Sequence, residues 1–170
     1  MTGVQTCALP ILTVSYNTNH LFIVHGGTEL VCRLIDARFP DYKVVIPNDN
    51  PYKLVANKND FQNALKRVSV FSNKSTNQIA LAISGNKLQL TAQDVDYSNE
   101  GNERMACHYD GEDLQIAFNA KFLIEMLNGA DTSDIVMELS TPTKAGILKP
   151  SEQGENEQLL MLVMPLMLNN

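Results

Sequence analysis

The 170-residue chain carries 13 Lys and Arg against 19 Asp and Glu, a formal net charge of -6, and is 44% hydrophobic. That balance suits one globular core, or a domain with part of another, and argues against a protein that coats nucleic acid with its whole surface, though it leaves room for one basic face. Cys7, Cys32 and Cys107 are widely separated and odd in number, which fits a reduced, cytoplasmic chain, and no CxxC pair or Cys/His cluster suggests zinc.

Residues 1–11, MTGVQTCALPI, share no pattern with the rest of the chain. They read as a non-native leader, such as a translated sequencing-adapter remnant, and as neither signal peptide nor membrane anchor, so they are set aside from the fold. Strand-like text begins at Leu12, with runs over 12–16, 20–25 and 28–35; Gly26-Gly27 between the last two is a hairpin signal. His25 beside that turn reads as a strand-end residue, since no nucleophile or acid lies near it in sequence. Pro40, Pro47 and Pro51, with Asn and Asp among them, cannot continue a central strand or a helix, so a domain linker is placed at 39–51.

Beyond the linker, residues 52–56 read as a strand, and Asn57 or Asn59 caps a helix running to about Phe71 with Phe61, Ala64, Leu65, Val68 and Phe71 on one apolar face. Strands follow at 78–84, 87–93 and 103–109. Gly85-Asn86 joins the first two, with Ile79, Leu81 and Ile83 opposite Leu88, Leu90 and Ala92, and residues 94–102 form an acidic connection before the third. The order then repeats: a strand at 113–118, a helix capped by Asn119 with Phe122, Leu123, Met126 and Leu127 on its apolar face and Gly129 at its C′ position, then strands at 135–139, 146–149 and 159–164. Residues 51–170 thus contain β-α-β-β-β twice, which predicts an α+β domain of antiparallel sheet with both helices on one face.

Few residues suggest chemistry. Asp94, Asp96, Glu100 and Glu103 could serve a small metal-dependent hydrolase, but their spacing matches no calcium loop and no His joins them; a solvated strand connection is the simpler reading. His108-Tyr109-Asp110 before Gly111 reads as a turn. No GxSxG, phosphate-binding Gly loop or HExxH is present, so no catalytic residue is assigned. Lys58, Lys66, Arg67 and Lys121 fall on the helix faces turned from the sheet, with Glu125 interrupting the stripe; they suit a wet helix face or a phosphate backbone. The last stretch, Leu159 to Leu168, is almost uninterruptedly apolar, and Pro165 should end its pairing near Met164, leaving residues 166–168 as a short surface tail. Such a tail either frays onto its own domain or lines an apolar groove.

Several motifs in order, Leu34-Ile35-Asp36-Ala37-Arg38-Phe39-Pro40-Asp41-Tyr42, Arg67-Val68-Ser69-Val70-Phe71-Ser72-Asn73, Ile116-Ala117-Phe118-Asn119 and Val163-Met164-Pro165-Leu166, resemble the bacterial sliding clamp, the beta subunit of DNA polymerase III. The resemblance covers about residues 12–170 and implies a DNA-clamp fold without catalysis or cofactor, acting as a homodimeric ring of three similar domains per chain. Residues 12–50 then match the end of the middle domain plus a linker, and residues 51–170 the third domain, in a fragment without the first domain. It implies that Lys58, Lys66, Arg67 and Lys121 face duplex DNA without sequence preference, and that Val70 and Phe71 belong to the ring-closing contact, although core packing explains those two equally well. It further implies an apolar peptide groove for the replicative polymerase, the clamp loader and repair proteins, at Pro40, Val44, Val45, Asn119, Phe122, Thr143, Ala145, Val163, Met164, Pro165, Leu166, Met167 and Leu168. Val44 and Met167 stand where many relatives have arginine, which implies a more apolar groove.

Overall fold

The computed structural model describes residues 3–7 and 12–168. The chain divides into two compact units between Tyr42 and Lys43, where one 3-10 turn, Tyr42–Val45, occupies the proline-punctuated stretch.

The first unit is a four-stranded antiparallel meander of β1 (Gly3–Cys7), β2 (Leu12–Tyr16), β3 (His20–His25) and β4 (Thr28–Arg33), in that order. Gly26 turns the β3–β4 hairpin at φ +57, a left-handed conformation that costs glycine little, and the ladder runs from His25↔Thr28 to His20↔Arg33. β4 ends at Arg33, two residues short of the expected Ile35. Part of the expected non-native leader also has a place in the fold: Gly3–Cys7 pairs with β2 from Gly3↔Tyr16 to Cys7↔Leu12. The remainder of the leader, residues 1–2 and 8–11, lies outside the described residues, as do Asn169 and Asn170.

The second unit holds both repeats. The first is β5 (Tyr52–Asn57), α1 (Lys58–Ser69), β6 (Gln78–Ser84), β7 (Lys87–Asp94) and β8 (Asn99–Ala106); the second is β10 (Leu114–Asn119), α2 (Ala120–Gly129), β11 (Asp134–Leu139), β12 (Gly146–Pro150) and β13 (Met161–Val163), with a short β9 (His108–Asp110) between them. The sheets run β10-β6-β7-β8 and β13-β12-β11-β5-β9. Each repeat therefore supplies three strands to one sheet and lends its first strand to the other, which welds the two repeats into one domain. Both sheets and both helices bury a common core that includes Leu54, Phe61, Leu65, Leu81, Phe118, Leu123 and Met137.

Local chemistry explains the elements. The Asn57 side chain accepts from the Asn59 and Asp60 amides at 3.1 and 3.2 Å, so it caps α1; Phe61, Ala64, Leu65 and Val68 form the buried face. Gly85, at φ +53, turns β6 into β7, and Leu81↔Leu90 and Ile83↔Leu88 pair as the alternation requires.

Three expectations shift. First, α1 stops at Ser69: the Phe71 and Ser72 amides donate to the Val68 and Ser69 carbonyls, tightening the last turn and turning Phe71 out of the core. Second, the strand expected at 103–109 is two strands. β8 begins at Asn99 and pairs with β7; after Cys107, whose amide donates to the Asn86 carbonyl, the chain crosses to the other sheet, where β9 pairs with β5. His108, Tyr109 and Asp110 are thus strand residues and not a turn, because Leu54 lies opposite Tyr109 and gives its ring a buried place. Third, Gly129 is the last residue of α2 itself, followed by an extended Ala130.

Candidate functional site

The second helix and the strand β13 flank a cleft of the second unit. Asn119 fixes the start of α2 twice over: its Oδ1 accepts from the Lys121 amide at 2.9 Å, and its Nδ2 donates to the Thr76 carbonyl at 3.0 Å. From there α2 presents Leu123 and Leu127 to the core, while Phe122 stands 57% exposed. The helical period puts Phe122 on the core face; the structure turns it outward because the apolar arc of α2 is wider than the core it covers. Phe122 and Met126, half-buried one turn later, meet Met161, Met164, Pro165 and Leu166 around a cleft of about 550 Å³.

The segment after β13 is tied to the rest of the domain at one point. Only Met161–Val163 pairs with β12, a shorter strand than expected, and Pro165 ends that ladder. Past the proline, the Leu166 amide donates to the Ala117 carbonyl at 2.7 Å, forming an antiparallel bridge to the edge of the other sheet. Leu166 is therefore not part of an unpaired tail, whereas Met167 stays 80% exposed as expected; the chain spans the edges of both sheets, with Met164, 62% exposed, held between them.

A second cleft, of about 410 Å³, opens on the other side of Met164. Its walls are Val45, Pro47, Asn48 and Asp49 from the linker and Thr143, Lys144 and Ala145 from the β11–β12 turn. Met164 is common to both clefts.

Of the expected groove residues, the structure gathers Asn119, Phe122, Val163, Met164, Pro165 and Leu166 around the first cleft, and Val45, Thr143, Ala145 and Met164 around the second. Val44 and Met167 are highly exposed and line neither, nor does Leu168; Pro40 belongs to the first unit. Sequence reasoning missed Glu125, Met126, Met161, Leu162, Pro47, Asn48, Asp49 and Lys144. Glu125 and Met126, three and four residues after Phe122 on the same helix, carried a legible signal.

The basic stripe is partly committed to the protein itself. Arg67 grips Glu103 of β8 through two guanidinium nitrogens, with Nε at 2.9 Å; this hydrogen bonding holds the Glu103 carboxyl below the usual carboxylate range and raises the guanidinium further. Lys58 Nζ donates to the Ala130 carbonyl at 2.9 Å, where it satisfies an orphan acceptor at the end of α2, and Lys66 Nζ donates to the Gln62 side chain at 3.1 Å. Lys121 is exposed at the start of α2.

Val70 and Phe71 are both exposed, and the Phe71 ring lies so close over Gly101 of β8 that a Cβ there would press into it. The acidic segment serves structure. Buried Asp94 accepts from the Asp96 amide at 3.2 Å and from Asn73 Nδ2 at 3.4 Å, and Glu103 is bound to Arg67. Among the described residues, no group of three or more His, Cys, Asp or Glu is placed to hold a metal ion, and no helix is long and apolar enough to cross a membrane.

A doubled β-α-β-β-β domain of this topology belongs to the DNA-clamp class of folds. The chain matches the model of the DNA polymerase III beta subunit, C-terminal domain, over residues 43–166, and belongs to that family. It is 28% identical over 144 residues to the beta sliding clamp of Haemophilus influenzae, which covers 85% of this chain and 39% of the relative. The crystal structure of the DNA polymerase III beta subunit from Thermotoga maritima superposes with a TM-score of 0.84 at 32% identity, over 96% of this chain and 43% of that one. A DnaN sliding clamp from Bartonella birtlesii, crystallised bound to griselimycin, gives 0.87 at 27% identity, over 93% and 41%. The chain thus spans about two fifths of the length of the relatives it matches. The hydrolase alternative finds no support in these likenesses.

Proposed function

We propose that the chain acts as part of a DNA sliding clamp, a non-catalytic cytoplasmic processivity factor that encircles duplex DNA and tethers a replicative polymerase through an apolar peptide groove. Residues 12–50 then close a middle domain and lead into the linker, and residues 51–170 form the third domain. The observation that carries this reading is the pair of clefts that share Met164, each presenting apolar side chains to solvent. An extended peptide laid across Met164 would reach both. Three methionines around the first cleft, Met126, Met161 and Met164, give it a polarizable lining that adapts to related sequences, as a hub for polymerase, clamp loader and repair proteins requires.

On the helices, Lys66 and Lys121, with Lys58 and Arg67 beside them, supply a weak sequence-independent field toward duplex DNA. Topology then supplies the retention, and tethering raises the polymerase's effective concentration. Val70 and Phe71 are the apolar part of a head-to-tail contact in the full-length homodimer.

Griselimycin, bound by the Bartonella relative, is the natural probe. Labelled griselimycin should bind the 170-residue chain saturably by fluorescence anisotropy, and Phe122→Asp should abolish the binding. Absence of saturation, or indifference to Phe122→Asp, would count against the groove.

A further inference from the structure

Asn50 lies in neither cleft, yet it joins the two walls of the second one. Its single side-chain amide donates to two carbonyls on opposite sides of the β11–β12 turn, Glu138 O at 3.1 Å and Ala145 O at 2.9 Å. These carbonyls sit where the hairpin ladder opens: the last β11–β12 pair is Glu138↔Ile147, and the chain beyond it leaves the ladder to form the turn that carries Thr143, Lys144 and Ala145. Asn50 itself ends the linker segment whose Val45, Pro47, Asn48 and Asp49 make the facing wall. One primary amide therefore takes the place of a missing ladder rung and ties the linker to the turn at the same time.

We propose that Asn50 is a positioning residue for partner recognition, setting the width of the cleft between the linker and the 143–145 turn; this rests on the reading of the two clefts as a peptide groove. Chemistry restricts the choice of residue. Both N–H groups of the amide are used, one for each carbonyl, so Asp, of the same shape, offers no donor and sets a carboxylate against two carbonyl oxygens, while Ser offers one donor and less reach. The Asn50 Oδ1 is buried with no hydrogen-bond partner, a cost the fold accepts to keep both donors aimed at the turn. The nearest prolines, Pro47 and Pro51, limit the linker's other conformations, so the amide acts on a stretch already stiff.

The test uses the 170-residue chain carrying Asn50→Ala or Asn50→Asp, with Ile79→Val in β6 of the other sheet as a control for general loss of stability. Without any ligand, amide hydrogen exchange in residues 45–49 and 141–145 should quicken in both Asn50 variants while the β6 and β7 amides keep their protection; Ile79→Val should not produce this local pattern. With labelled griselimycin, both Asn50 variants should bind at least about fivefold more weakly than the parent chain, whereas Ile79→Val binds as the parent does. Binding by the parent that the Asn50 variants retain in full, or exchange that rises no more in the two walls than elsewhere, overturns the role of Asn50. Failure of the parent itself to bind strikes at the groove reading, and the exchange result then decides the Asn50 tie on its own.

Discussion

Removing residues 164–170 separates a tail that is part of the fold from one that merely trails it. The cut keeps β13 and its pairing with β12, but deletes the Leu166 amide that donates to the Ala117 carbonyl at 2.7 Å and the half-buried Pro165 and Leu166 side chains. The lost backbone hydrogen bond is worth about 1 kcal/mol net. Half-burial of Leu166 adds about 0.8–1.5 kcal/mol, half of what full burial of a Leu contributes, and the smaller Pro165 ring adds less, about 1–2 kcal/mol for the two together. The sum, about 2–3 kcal/mol, should lower the urea midpoint of the second unit by about 1 M at an ordinary m-value, with m itself little changed. The assay is equilibrium urea unfolding followed by far-UV circular dichroism. A midpoint within about 0.2 M of the parent chain, at the same m-value, would refute the bridge as a stabilising contact and return the tail to a frayed end.

Glu103→Gln releases Arg67, so duplex DNA binding at low salt should tighten, and the slope of log K against log salt should steepen by about 1, as for one added phosphate contact; an unchanged slope means that Arg67 does not reach DNA. Because Arg67 depresses the Glu103 pKa on folding, the pair's contribution to stability should be present above the ordinary carboxylate range and fade as pH falls through the lowered folded value; acid titration of the unfolding midpoint checks this, and Glu103→Gln should flatten that part of the curve. Burial first, then the neighbouring Tyr52, pushes the Tyr109 phenol from 10.0 up to about 12, so its contribution is complete below pH 10 and lost as pH rises toward 12; Tyr109→Phe should remove that alkaline loss, at the cost of the bond to the Glu112 carbonyl. Asn57→Ala should cost about 1 kcal/mol by thermal or urea unfolding, since it strips the cap from α1, and a neutral result would show that the cap is replaced by water.

The features legible in the sequence are those set by short-range chemistry. Asn57 and Asn119 announced their helices, Gly26 and Gly85 their hairpins, and the alternation through 79–92 named the residues facing the core. The break at Cys107 could not be seen in that way. Met105, Cys107 and Tyr109 all pack against the same core, so the period-2 pattern runs straight across the point where the chain leaves β7 for β5. Alternation records which face is buried and carries no information about which strand is the partner.

The same limit governs the site. The helical period of α2 grouped Phe122 with Leu123 and Leu127, but only packing decides which part of a broad apolar arc meets the core and which part opens a cleft. Arg67 read as a free cation because Glu103, 36 positions away, faces it only once β8 is laid beside α1. Leu166 read as tail because its partner Ala117 belongs to the other sheet. Asn50 gave no signal at all, since an Asn among prolines in a linker looks like any other turn residue.

The most direct test of the groove is methyl NMR of methionine-labelled chain titrated with griselimycin. Met126, Met161 and Met164 line the first cleft, whereas Met137 is buried in the core and Met105 lies on β8 in the other sheet. The groove reading predicts that the Met126, Met161 and Met164 resonances shift saturably with a single dissociation constant while Met105 and Met137 stay in place. Shifts confined to Met105 and Met137, or no saturable shift in any of the five, would contradict it.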